Sequence, residues 1–83
     1  MTPKKLFKIG EVMKYSGLSR QTIHNYTMMG LITEEERTPS GHRLYPEGVF
    51  TRIEKIKMLL RHRSLSEVLK IMRLEDAEVP KPQ

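Results

Sequence analysis

Gly17 and Gly30 each end a short run of helical period, and this punctuation constrains the fold more than any other feature. From Gly10 to Ile32 the chain reads GEVMKYSGLSRQTIHNYTMMGLI. Ile9, Val12 and Met13 recur at i, i+3 and i+4, on one face of a helix expected over Gly10–Tyr15. Gly17 stands where a left-handed residue ends such a helix. Ser19 offers its hydroxyl to the free N–H groups of a second helix, expected over Arg20–Met29. Leu18 and Ile23 form a hydrophobic staple that fixes the entry angle of that helix. Gly30 closes it as Gly17 closes the first. Two short helices joined by a tight turn with Gly in it are the helix-turn-helix pattern.

The rest of the chain supplies a wing and two more helices. Arg37-Thr38 and His42–Tyr45 flank Pro39-Ser40-Gly41, a turn composition that predicts a hairpin. Pro46 suits the first position of the next helix. Val49, Ile53, Ile56 and Leu60 then form one apolar stripe over about four turns. Ser64 and Glu67 form a capping box that starts a last helix of about two turns, with Leu65, Val68, Leu69 and Met72 on one face. Residues 1–5 are expected to be a flexible N-terminus, with Leu6-Phe7-Lys8 as a short extended arm. From Glu75 the tail EDAEVPKPQ has little to bury, so 75–83 is expected to be disordered. The domain is therefore placed at 6–74. Its expected class is mainly α, a winged helix-turn-helix of about four helices with a small β-hairpin wing.

Composition narrows the function. A chain of 83 residues makes one small domain, with about 5 kcal/mol of stability and no room for an enzyme-sized cleft beside a binding module. Fifteen Lys and Arg stand against ten Asp and Glu, for a net charge of +5. That balance favours a polyanion, nucleic acid before membrane. No apolar run approaches the ~18–20 residues of a membrane span, and no secretory signal follows the N-terminal lysines. The expected compartment is the cytoplasm. There is no cysteine, and His24, His42 and His62 fall in three different elements, so neither a metal nor a cofactor is expected. No nucleophile has a base at an interpretable spacing, so no catalytic residue is assigned.

Helical geometry divides the second helix. With Ile23 in the core, Ser19, Tyr26, Thr27 and Gly30 fall within about 60° of it, at ~100° per residue. Gln21, His24, Asn25 and Met28 lie on the far side. Asn and Gln side chains pair with adenine edges, and His donates to guanine acceptors. Arg20 suits a phosphate or a guanine, while Ser19 and Thr22 flank a helix N-terminus that favours phosphate. Tyr26 faces the core, with its hydroxyl directed to the DNA backbone. In the wing, Arg43 alternates with Leu44, so that Leu44 faces the core and Arg43 the phosphates, where its planar fork makes two bonds at once. Arg37 adds a second charge on the outgoing limb. Arg61-His62-Arg63 makes another basic corner before the last helix. The competing reading for Arg37 and Arg43 is a surface salt bridge with Glu34–Glu36; for the helix face and the basic corner it is simple solvation.

The motifs IGEV, SGLSRQTI with Tyr26, GLI and RTPSGHRLY, in that order, resemble the DNA-binding domain of the MerR family of bacterial transcription regulators. The resemblance covers Gly10–Glu67. It implies a second helix in the major groove of double-stranded DNA, a first wing that includes His42, Arg43 and Tyr45, and a second basic turn at Arg61, His62 and Arg63. A second copy on DNA and RNA polymerase are the further partners it suggests. The chain departs from the family pattern at His24-Asn25, where Arg-Tyr is usual, at Thr27, where an acid is common, at His42, where Tyr is usual, and in a shorter second wing. The long dimerisation helix and effector region have no counterpart in it, so a stand-alone short member and a piece of a longer protein both fit. With no heptad run left over, a monomer, or at most a weak dimer, is expected at micromolar concentration without DNA. Two other functions fit the same pattern: an excisionase-like architectural factor that bends DNA, and a protein-interaction module that kept the fold.

Overall fold

The computed structural model describes residues 5–78. Helices α1 (Ile9–Ser16) and α2 (Arg20–Met28) are separated at the expected glycine. Gly17 has φ 76° and its N–H donates to the Met13 carbonyl at 2.9 Å. An L side chain in that left-handed region would be strained, which is why glycine stands there. Ser19 caps α2, its Oγ accepting from the Thr22 N–H at 3.1 Å. Ser19→Ala is therefore expected to lower folding stability by about 1 kcal/mol in urea unfolding. Gly30, at φ 81°, turns the chain out of α2 into the buried Leu31 and Ile32.

The wing is larger than a hairpin. Strands β1 (Leu6–Lys8), β2 (Glu36–Arg37) and β3 (Arg43–Pro46) form one antiparallel sheet in the order β1-β3-β2. The expected arm is thus a strand, because the second edge of β3 offers it partners: Leu6 pairs Pro46, Phe7 pairs Tyr45 and Lys8 pairs Leu44. Pro46 closes β3 instead of opening α3. At that position only β1 pairs with β3, since β2 reaches no further than Leu44, and a residue with no N–H is tolerated where a ladder has run out on one side. The alternation in β3 also differs from expectation. Tyr45 is the fully buried residue, and period two puts Arg43 on its face. Leu44, half-buried, is on the other.

Helix α3 (Gly48–Leu60) buries Val49, Ile53 and Ile56, as its stripe predicts. These join Phe7, Val12, Ile23, Tyr26, Leu31, Ile32, Tyr45, Val68 and Met72 in one core cluster. Helix α4 starts at the expected capping box, where the Ser64 N–H donates to Glu67 Oε1 and the Glu67 N–H to Ser64 Oγ, both at 3.2 Å. It does not stop after two turns. It runs Leu65–Glu78, so the expected disorder from Glu75 is wrong for residues 75–78; residues 79–83 lie outside those described. Two carboxylates at a helix C-terminus oppose its dipole. Here they are matched by cations on α3: Arg52 donates two hydrogen bonds to Asp76, at 2.8 and 3.0 Å, and Lys55 pairs with Glu75.

Candidate nucleic-acid interface

The polar face of α2 is open. Arg20, Gln21, His24 and Asn25 are exposed, and Ile23 and Tyr26 point into the core. The split follows from Ile23, which is wholly buried and fixes the roll of the helix. Thr27 locks that roll further. Its hydroxyl donates to the Ile23 carbonyl at 2.8 Å and lies 2.7 Å from the Tyr45 hydroxyl. Gln21 Nε2 donates to Asn25 Oδ1 at 2.9 Å, so the two amides form one outward-facing unit one helical turn long.

Basic groups flank this face on one side. Arg43 lies beside α2, with Nη1 3.5 Å from His24 Nδ1 and Nη2 3.9 Å from Met28 Sδ. Ile9, Arg20, Gln21, His24 and Arg43 line a common shallow cleft. An adjoining one adds Lys8, His42 and the first turn of α1. Lys8 belongs to this basic cluster, although its sequence signal was only an arm residue; pairing of Lys8 with Leu44 brings it there. His42 sits in the wing turn, its ring Nδ1 3.1 Å from Ser40 Oγ. On the other flank, Leu65 of α4 lines a groove with Thr22, Asn25 and Met28. The start of α4 therefore lies next to α2, and the exposed His62 and Arg63 sit in the turn just before it. Arg61 instead lines a cleft along α3 with Glu54 and Met58.

Tyr45 does not fit its expected role as a contact, while Tyr26 takes the core position expected of it. Tyr45 is fully buried, and its hydroxyl is engaged by Thr27. Its size suits the space between β3 and α2, so its place in the wing motif is structural. Tyr26 is 9 % exposed, and burial raises its phenol above the ordinary value. A phenol so placed is neutral at physiological pH and serves the core first.

The wing arginines are not free. Glu34 accepts from Arg37 Nε at 2.7 Å and Arg37 Nη2 at 2.9 Å, and from Arg43 Nε at 3.3 Å. The hydrogen bond from Arg37, and then the charges of both guanidiniums, hold the Glu34 carboxyl below its ordinary value. A depressed carboxyl keeps such pairs through neutral pH and loses them only as pH falls through its lowered value. The salt-bridge reading of Arg37 and Arg43 thus holds in the free chain.

The model of the MerR family regulatory protein matches residues 8–45. The chain is 34 % identical over 76 residues to the mercuric resistance operon regulatory protein of Bacillus cereus, covering 90 % of this chain and 58 % of that protein. It is 36 % identical over 73 residues to the nodulation protein NolA of Bradyrhizobium elkanii, covering 86 % of this chain and 33 % of that one. The HTH-type transcriptional regulator YfmP of Bacillus subtilis is 45 % identical over 49 residues, 59 % of this chain and 35 % of YfmP. A crystal structure of a MerR-family transcriptional regulator from Bacillus cereus superposes with a TM-score of 0.73 at 22 % identity, over 82 % of this chain and 52 % of that one. The chain thus spans little more than half the length of the first of these relatives and about a third of the other two.

Proposed function

The chain carries a DNA-binding domain of the MerR family, and on that premise we propose that it binds double-stranded DNA sequence-specifically as a bacterial transcription regulator. In this reading α2 enters the major groove. Gln21, His24 and Asn25 read base edges. Arg20, Ser19 and Thr22 hold the phosphates at the helix start, while Arg43 and the turn at His62-Arg63 grip the backbone on either side. His42 and Lys8 add to the first of these grips, and Arg61 supplies general positive potential.

One observation carries the reading: an exposed helix face of amide and imidazole groups, flanked by the Arg43 wing on one side and by the start of α4 on the other. Phosphate contacts set affinity and base contacts set choice. The test is an electrophoretic shift with random duplex at low and high salt, followed by footprinting on DNA flanking the chain's own gene. Salt-sensitive binding with a protected site is the expected result. Binding that ignores salt, or none, would favour a protein-interaction module.

Arg43→Ala is expected to weaken binding to all duplexes about equally and to lower the salt slope by roughly one unit. A change of base preference at one position, with the slope intact, would instead make Arg43 a base-reading residue. A single module covers one half-site, so a second copy on an adjacent half-site is expected to raise affinity by effective concentration. RNA polymerase is a further partner under the same reading. Titration on DNA with one and two half-sites checks the second copy.

A further inference from the structure

Arg37 and Arg43 are direct cross-strand partners in the wing. Like charges in that register repel, and something must hold them together. Glu34 does so, with one carboxylate bonded to both guanidiniums. The backbone fixes it in place: the neighbouring Glu35 N–H donates to the Leu44 carbonyl at 2.8 Å, tying the loop to β3. The carboxylate presents two oxygens to an arginine fork, the geometry in which arginine also binds phosphate. We propose that Glu34 is an internal stand-in for a DNA phosphate, occupying the Arg37–Arg43 fork until the duplex backbone displaces it.

The inference rests on the proposed DNA-binding reading and adds a residue that works against it. The phosphate contacts of Arg37 and Arg43 are made by exchange, one anion for another, so the free chain is self-blocked at this corner. The exchange costs affinity on every sequence alike. It also makes Arg37, which lies at the wing's edge, a phosphate ligand that is used only once Glu34 has left.

The test measures binding of the full chain to a random-sequence duplex over a salt series. Glu34→Gln is expected to raise affinity about threefold to tenfold at low salt, because the fork then opens to phosphate without an exchange, while the number of phosphates contacted in the complex stays the same. Glu34→Asp keeps the charge but withdraws the reach, and is expected to give a smaller rise in the same direction. Glu36→Gln removes an equal charge from an exposed position two residues on, and is expected to change affinity much less. The gain from Glu34→Gln should shrink when Arg37 and Arg43 are both alanine. Unchanged or weaker binding by Glu34→Gln, or an equal gain from Glu36→Gln, overturns the proposal. Arg43→Ala with no loss of binding in the otherwise unaltered chain would overturn the wing's role in DNA binding itself, which is a separate result.

Discussion

Ile23→Ala is expected to cost about 2–5 kcal/mol of folding stability, a large part of what a domain of this size has to lose. Ile23 is wholly buried and belongs to the single core cluster with Val12, Tyr26 and Ile53. Truncation leaves a cavity in that cluster, and the fixed Gly17 turn limits how far α1 and α2 can close over it. Urea unfolding should show a lower midpoint with an unchanged slope. The same residue sets the roll of α2, so DNA binding is expected to fall with the folded fraction and, in the folded remainder, to lose specificity before affinity. A loss under about 1 kcal/mol would mean that the helices repack and that the roll of α2 is set elsewhere.

Asn25→Ala is expected to cost about 1–3 kcal/mol of binding on the preferred site and much less on random duplex. Asn25 is exposed and accepts a hydrogen bond from Gln21, which leaves its amide N–H groups facing outward. Alanine removes the donor and releases Gln21 as well. Alanine also favours an exposed helical position, so thermal stability should hold or rise slightly while recognition is lost. Equal losses on both DNAs would assign Asn25 to the phosphate contacts.

The parts of the fold that were legible in the residues are those controlled locally. Gly17, Gly30, Ser19 and the Ser64–Glu67 box act within one turn of chain, and each sits as its neighbours imply. Ile53 and Ile56 follow from period alone. What was hidden depends on partners distant in sequence. Leu6-Phe7-Lys8 is too short for an alternation signal and becomes a strand only because β3 lies beside it. Tyr45 turns inward rather than Leu44, and its hydroxyl meets that of Thr27, eighteen residues before it, a partner no local pattern reveals. The last turn of α4 is joined to α3 by Arg52 and Lys55, which lie more than twenty and twenty positions from their partners. At the candidate interface the exposure of Gln21, His24 and Asn25 was readable from helical geometry. A salt bridge of Arg37 and Arg43 with Glu34–Glu36 was readable as an alternative; that Glu34 holds both guanidiniums at once was not, since it needs the register of β2 on β3.

Arg52 carries a consequence of its own. Its guanidinium bonds Asp76 in the last turn of α4 and also donates to the carbonyl of Leu31, the residue after the Gly30 turn. One side chain thus joins the far end of α4 to the exit of α2. A load that pulls Asp76 away strips Arg52 of its counter-ion, and a guanidinium that swings after it deprives the Leu31 carbonyl of this donor. Losing a partner at a buried polar group costs about 1–3 kcal/mol. Displacing Asp76 is therefore expected to be felt at the exit of the helix that faces outward, through Arg52 as well as through the core.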